Sequence, residues 1–313
     1  MPMPKHILLP DPLAEFLSRR PGAKLSRIRS EASRRRFFRI SFGNKNLVAM
    51  VYPEPARTEV ERFRTVQEIY RGHGLRVPSI EEILGDQVVI QEDAGDVLLQ
   101  RAWRSRSRSE RLRLLGKCRE LLSKLAAVPP ELAPARLDRS RQKWEMDFFL
   151  KHFFPNFPGR KISADDLRNQ LYRLVEAIDI ECVFAHRDFH SRNLLVHGGE
   201  IIMVDFQDSL LAPRYYDLVS VAFDSYLDLQ SSRETLFQNL VSRSGAIELR
   251  QMRLTALQRN LKALGTFAFQ TYTCHHPAYA RYIPRTLRHI RGHLQELASP
   301  EFSTLSNYFS ALP

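Results

Sequence analysis

Asp188, Asn193 and Asp205 are the residues of this chain whose types and spacing can do chemistry. His186, Arg187, Asp188 and Asn193 stand at the spacing H-x-D-x-x-x-x-N, and Leu194, Leu195 and Val196 follow as a short apolar strand. His197, Gly198 and Gly199 read as a tight turn, because glycine supplies the positive φ that a two-residue hairpin requires. A second apolar run, 201–204, brings the chain back and ends at Asp205. The pattern predicts that the three oxygen-bearing side chains converge on one edge of a small sheet. Phosphoryl transfer asks for that set: a carboxylate to orient an acceptor hydroxyl and take its proton, and hard oxygen ligands for Mg²⁺ on a triphosphate. Asp188 suits the first role, Asn193 and Asp205 the second. The plainer alternative is a hairpin with solvated turn carboxylates, and the order and spacing of the whole stretch weigh against it.

The stretch matches the catalytic-loop and metal-aspartate signatures of kinases in order and spacing. HRDFHSRN followed by VDFQDSLLAPRYYDLVS resembles the aminoglycoside-phosphotransferase-like kinases, and within them the bacterial anomeric sugar kinases acting on N-acetylmuramate and N-acetylglucosamine. SEASRRRFFRI, QEDAGD and QRNLKALGTFAF are similar to the corresponding family segments, so the likeness covers most of the chain. It implies an α+β, bilobal, protein-kinase-like fold, with a five-stranded antiparallel sheet in an N-lobe over 1–95 and a mainly helical C-lobe over 96–313. It implies ATP and Mg²⁺ as cofactors, a small sugar as acceptor and a place in cell-wall sugar recycling. It sets the phosphate-binding loop at 30–36, where backbone amides, the Ser33 hydroxyl and a nearby arginine, Arg34 or Arg36, hold phosphate. It sets Glu92 and Ala94 at the lobe connection, where backbone groups meet adenine. Glu145 then lies on a helix flanking the acceptor pocket, and Arg259 on a second wall, where a lactyl carboxylate would welcome a cation.

Two departures from the protein-kinase pattern matter. The strand over 47–51 has Val48, Ala49, Met50 and Val51 where V-A-I-K would place a lysine, so the cation must come from elsewhere, and an arginine of the preceding hairpin is the expected substitute. Asp205 is followed by Phe206, Gln207 and Asp208, and Asp217 arrives twelve positions after Asp205, too soon for a peptide-docking activation segment. A small-molecule acceptor follows. Asp217 is expected to head an amphipathic helix and bond the backbone of the catalytic loop. Asp208 stays open between a substrate or metal contact and a turn cap.

Around these residues the apolar spacing predicts a helix over 56–74 with Val60, Phe63, Val66, Ile69 and Tyr70 buried, strands over 77–80 and 88–91, and helices over 141–154 and 165–178. Trp144, Phe148, Phe149 and Phe153 are read as core. Ser107 and Glu110 fit a capping box, so the Arg/Ser tract at 101–113 reads as a solvated helix start rather than an RNA-binding patch.

With 313 residues, 43% of them hydrophobic, the chain can bury a large core in two lobes. Its formal charge of +12, from 47 Lys+Arg against 35 Asp+Glu, suits anionic partners, a triphosphate and an acidic sugar as well as nucleic acid. Three dispersed cysteines suggest a reducing cytoplasm, and neither a signal peptide nor a membrane span is expected. A monomer is expected. The rival readings are a kinase of another small hydroxyl acceptor, such as an aminoglycoside, and a non-catalytic nucleotide- or RNA-binding pseudokinase.

Overall fold

In the computed structural model, residues 9–29, 34–158, 162–179, 181–237 and 245–312 are described. The chain has the α+β, kinase-like class of fold and divides into two compact units, one of residues 1–96 with 202–207, the other of 97–201 with 208–313. Among the described residues no helix is long and apolar enough to cross a membrane.

The first unit contains α1 (Asp11–Ser18), β1 (Lys24–Ile28), β2 (Arg36–Phe42), β3 (Lys45–Val51), α2 (Arg57–Gly72), β4 (Ile80–Leu84) and β5 (Val88–Glu92). The strands form one antiparallel sheet in the order β1-β2-β3-β5-β4. Alternate residues of β2 and β3, among them Phe38, Ile40, Leu47, Ala49 and Val51, meet Leu13 and Phe16 of α1 in one apolar core. The expected strand over 77–80 is displaced to Ile80–Leu84. Pro78 lacks the N–H that a strand interior donates, and its carbonyl instead accepts from Gln67 of α2. That bond also explains why Gln67 belongs to the buried face of α2, while Ile69 is only half buried.

The second unit begins with α3 (Leu99–Ser105), α4 (Arg108–Ala126), α5 (Arg139–His152) and α6 (Ala164–Ala177). Then come β6 (Cys182–Ala185), β7 (Leu194–His197), β8 (Glu200–Met203), β9 (Leu210–Pro213) and α7 (Tyr216–Ala222). It closes with α8 (Glu234–Phe237), α9 (Ala246–Ala268), α10 (Ile283–Leu297) and α11 (Ser303–Ala311). Gly198 and Gly199, both at positive φ (57° and 80°), turn β7 into β8, the last residues of which count with the first unit. The capping box at Ser107 and Glu110 is formed.

Two expectations fail here. Trp144 is 61% exposed, because α5 buries the side carrying Met146, Phe149 and Leu150, and Trp144 lies off that face. Helix α7 is not amphipathic: every residue from Tyr216 to Ala222 is buried.

Helix α9 is the spine of the second unit, packed on α5, α7 and α10. The approach to α5 is close enough that a Cβ on Gly265 would sit 2.7 Å from the Phe149 Cα. Backbone cannot yield as a flexible side chain can. Gly265→Ala is therefore expected to destabilise the fold by about 1–3 kcal/mol, read as a lower midpoint in a thermal melt followed by circular dichroism.

Candidate active site

The loop that carries Asp188 leaves β6 at His186, which is fully buried. Arg187 has φ 76°, a conformation that costs a non-glycine residue roughly 1–3 kcal/mol. Asp217, in the first turn of α7, holds that bend by accepting the His186 N–H at 2.6 Å and the Arg187 N–H at 3.0 Å. Burial pushes the Asp217 carboxyl up to about 7 against the pull of these two donors. Asp224 does the same further along, accepting from the Ser191 N–H at 2.8 Å and the Tyr226 N–H at 2.7 Å. Within the loop the Asp188 carbonyl accepts from the His190 N–H and the Asn193 side-chain amide. The backbone around Asp188 is thus fixed from two buried carboxylates. Asp217→Ala leaves two buried N–H groups without acceptors, and is expected to cost roughly 1–3 kcal/mol and to lower kcat more than it raises the nucleotide KM.

Asp188 keeps 29% of its side chain exposed, and its Oδ1 lies 3.1 Å from Lys262 Nζ. Burial alone would raise its pKa, but Lys262 and other cations around it hold the carboxyl well below the usual range. His190 is not one of those cations near neutral pH, because burial pushes its imidazole down to about 3. Lys262, Arg187 and Arg259 remain. Arg187 is itself anchored, with Nη2 3.7 Å from Glu145 Oε1. Burial opposes its charge, while Asp188, Tyr216, Glu145 and Asp208 around it favour it. The half-buried Asp208 thereby belongs to the electrostatic surroundings of the loop.

Glu145 and Arg259, expected on the walls of an acceptor pocket, are placed deep in the second unit, at 2% and 5% exposure. Glu145 accepts from Gln258 Nε2 at 2.9 Å, and Arg259 Nε donates to Ser220 Oγ at 2.6 Å. Both side chains are thus engaged with polar partners inside the unit. The cation hydrogen-bonded to the Asp188 side chain is Lys262, one turn beyond Gln258 on α9, to which the sequence assigned no role. Spacing along the chain did not single it out, because Gln258, Arg259, Asn260, Lys262 and Thr266 are all polar positions of one helical stretch.

In the first unit Asp205 is held at φ 62°, another strained position. Phe206 beside it is 1% exposed and packs on Phe63 and Tyr70 of α2, at ring distances of 4.7 and 5.4 Å. The Asp205 Oδ1 accepts from Gln207 Nε2 at 3.0 Å and from Arg35 Nη2 at 2.6 Å. Ser33 lies outside the described residues, Arg34 is exposed, and Arg36 opens β2 opposite Val51. Val51 is fully buried in the sheet core, so the lysine slot holds a packing residue.

Glu92 is committed through its side chain to Arg76 and Ser79, and its N–H bonds the Ser79 carbonyl. Arg39 clamps the segment after β5 by a fork onto Asp93 (2.6 and 3.0 Å) and onto Asp96 (2.9 and 2.7 Å). Between these fixed points the Ala94 N–H has no partner among the described residues.

Asn193 and Asp205 have the chemistry that Mg²⁺ requires. The amide nitrogen of Asn193 is taken by the Asp188 carbonyl, which leaves the hard carbonyl oxygen as its remaining ligand atom. The Asp205 side chain is 45% exposed.

The profile of the family described as phosphotransferase enzyme family matches residues 24–255. The N-acetylmuramate/N-acetylglucosamine kinase of Pseudomonas aeruginosa is 26% identical over 96% of this chain and 92% of its own. The enzyme of the same name from Neisseria meningitidis serogroup B is 26% identical over 84% of this chain and 83% of its own. Among solved structures, a thermostable mutant of an aminoglycoside phosphotransferase, in ternary complex with ADP and hygromycin B, superposes with a TM-score of 0.59 at 17% identity. That match covers 88% of this chain and 97% of the other.

Proposed function

The chain belongs to the phosphotransferase enzyme family, and from that premise we propose that it is an ATP- and Mg²⁺-dependent cytoplasmic kinase of amino sugars. Its acceptor in this reading is the anomeric hydroxyl of N-acetylmuramate or N-acetylglucosamine. The observation that carries the reading is Asp188, partly exposed on a loop fixed by two buried carboxylates and faced by a lysine. The likeness of almost the whole chain to relatives named as kinases of those two sugars supports the choice of acceptor.

Asp188 accepts the proton of the attacking hydroxyl as the sugar oxygen bonds to the γ-phosphorus and the bond to the β-phosphate oxygen breaks, releasing ADP. A hemiacetal hydroxyl is more acidic than an ordinary alcohol, so a carboxylate of depressed pKa is a sufficient base. Lys262 holds Asp188 ionised and oriented in the resting protein, and offers its charge to the phosphoryl group once the proton has moved. Asn193 and Asp205 would be the residues to hold Mg²⁺, which would supply charge neutralisation on the phosphates. The Ala94 N–H is the donor available to adenine. Glu145 and Arg259 act by positioning, the first through Arg187 and the second through Ser220 on α7.

A cation beside the base suits an acidic acceptor and disfavours a polycationic aminoglycoside. The test is ADP release from Mg-ATP across N-acetylmuramate, N-acetylglucosamine, hygromycin B and choline. Turnover on either amino sugar, well above the other acceptors, is the expected result. Preferential turnover of hygromycin B or choline, or none on any acceptor, contradicts the proposal.

A further inference from the structure

The kinase strand pattern places a phosphate-binding lysine at the end of β3. Val51 fills the lysine position of β3 and is buried among Phe38, Leu47 and Ile90. A guanidinium reaches that strand from outside it. Arg35 lies just before β2, and its guanidinium reaches β3, with Nη1 3.4 Å from the Met50 sulfur, and Asp205, with Nη2 2.6 Å from Oδ1. The Arg35 side chain is 17% exposed, against 45% for that of Asp205. Of the three consecutive arginines, Arg34 stays exposed, and the Arg36 guanidinium lies 5.9 Å from the Phe38 ring.

We propose that Arg35 is the phosphate-binding cation of this chain, replacing the absent strand lysine, and that without nucleotide it occupies Asp205 as a placeholder ion pair that the metal–nucleotide displaces. The inference rests on the proposed nucleotide-dependent transfer and adds a residue and an order of events to it. A guanidinium and a divalent cation compete for the same carboxylate oxygen. A phosphate, with two oxygens to match the arginine fork, gives Arg35 a better partner than the one oxygen of Asp205 that it now holds, which Gln207 shares. Exchange of Arg35 from Asp205 to phosphate therefore frees the aspartate for metal at the moment the nucleotide arrives. Metal and nucleotide then bind with positive coupling, which depends on Arg35.

The consequence is a pair of effects of opposite sign. In Arg35→Met, ADP measured without metal by calorimetry is expected to bind about tenfold or more weakly. Mn²⁺, measured by its paramagnetic resonance signal in the nucleotide-free protein, is expected to bind several-fold more tightly, because its competitor is gone. Arg35→Lys keeps a charge and falls between wild type and Arg35→Met for ADP, and Arg64→Gln on the exposed side of α2 leaves both affinities unchanged. A misfolded variant would lose both ligands together, so tighter Mn²⁺ binding with weaker ADP binding cannot come from damage. If Arg35→Met binds ADP within twofold of wild type, or binds Mn²⁺ no more tightly than wild type, the inference is overturned while the proposed function stands. A wild-type chain that binds no adenine nucleotide overturns both.

Discussion

Asp188→Asn is expected to lower kcat by roughly 10²- to 10⁴-fold, with the KM for ATP changed little. The amide keeps the shape of the carboxylate and the loop contacts made through the backbone, among them the bonds from His190 and Asn193 to the Asp188 carbonyl. What it removes is the proposed proton acceptor. The two clamps on the loop, at His186–Arg187 and at Ser191, do not involve the Asp188 side chain, so the fold should survive. A thermal melt beside the steady-state kinetics checks that. Loss of kcat with an unchanged melt and unchanged nucleotide KM is the signature of a base. A parallel rise in KM or a collapsed melt would assign Asp188 a structural role.

Lys262→Met is expected to have the next largest effect. A hydrogen bond to a charged group contributes about 1.5–3 kcal/mol, which corresponds to a roughly 10- to 100-fold fall in kcat if it acts in the transition state. The pH dependence supplies the sharper sign. Burial drives the Asp188 pKa up and Lys262 is the first cation that drives it down. With Lys262 present the base stays ionised as the solution is acidified, because its pKa lies far below the assay range. With methionine in its place the pKa rises, the carboxylate protonates at a higher pH, and the acid limb of kcat/KM moves upward. Lys262→Arg keeps a cation and should keep the acid limb near wild type. An acid limb that stays put in Lys262→Met, with kcat reduced, would mean the lysine serves the phosphate alone.

Much of the framework was readable because local chemistry dictates it. Gly198-Gly199 between two apolar runs leaves the backbone few options besides a tight turn, and Ser107 with Glu110 forms the same cap in any helix start. The role of Asp217 was legible for a similar reason, since an acid at a helix start beside a strained loop has few better partners than backbone N–H groups. Where reading failed, the deciding contact was tertiary. Pro78 shifted β4 by handing its carbonyl to Gln67 on another element. Trp144 shares the spacing of its buried neighbours, but the face that α5 buries is set by the approach of α9 at Gly265.

The charged residues of the site divide in the same way. Asp188 and Asn193 announce themselves by spacing along the chain, whereas Lys262 reaches Asp188 from 74 positions away and Arg35 reaches Asp205 from 170. Periodicity alone offers Arg259 and Lys262 as equals. Only the packing of α9 against α7, which turns Arg259 toward Ser220, separates them.

The central claim is that Asp188 deprotonates a sugar hydroxyl that then takes the terminal phosphate of ATP. Phosphorus NMR of the product from Mg-ATP and N-acetylmuramate or N-acetylglucosamine tests it most directly. A phosphate resonance coupled to the anomeric proton, formed by wild type and lost with Asp188→Asn, is the predicted result. Phosphate on another hydroxyl, inorganic phosphate alone, or a 1-phosphate formed as fast by Asp188→Asn would contradict the account.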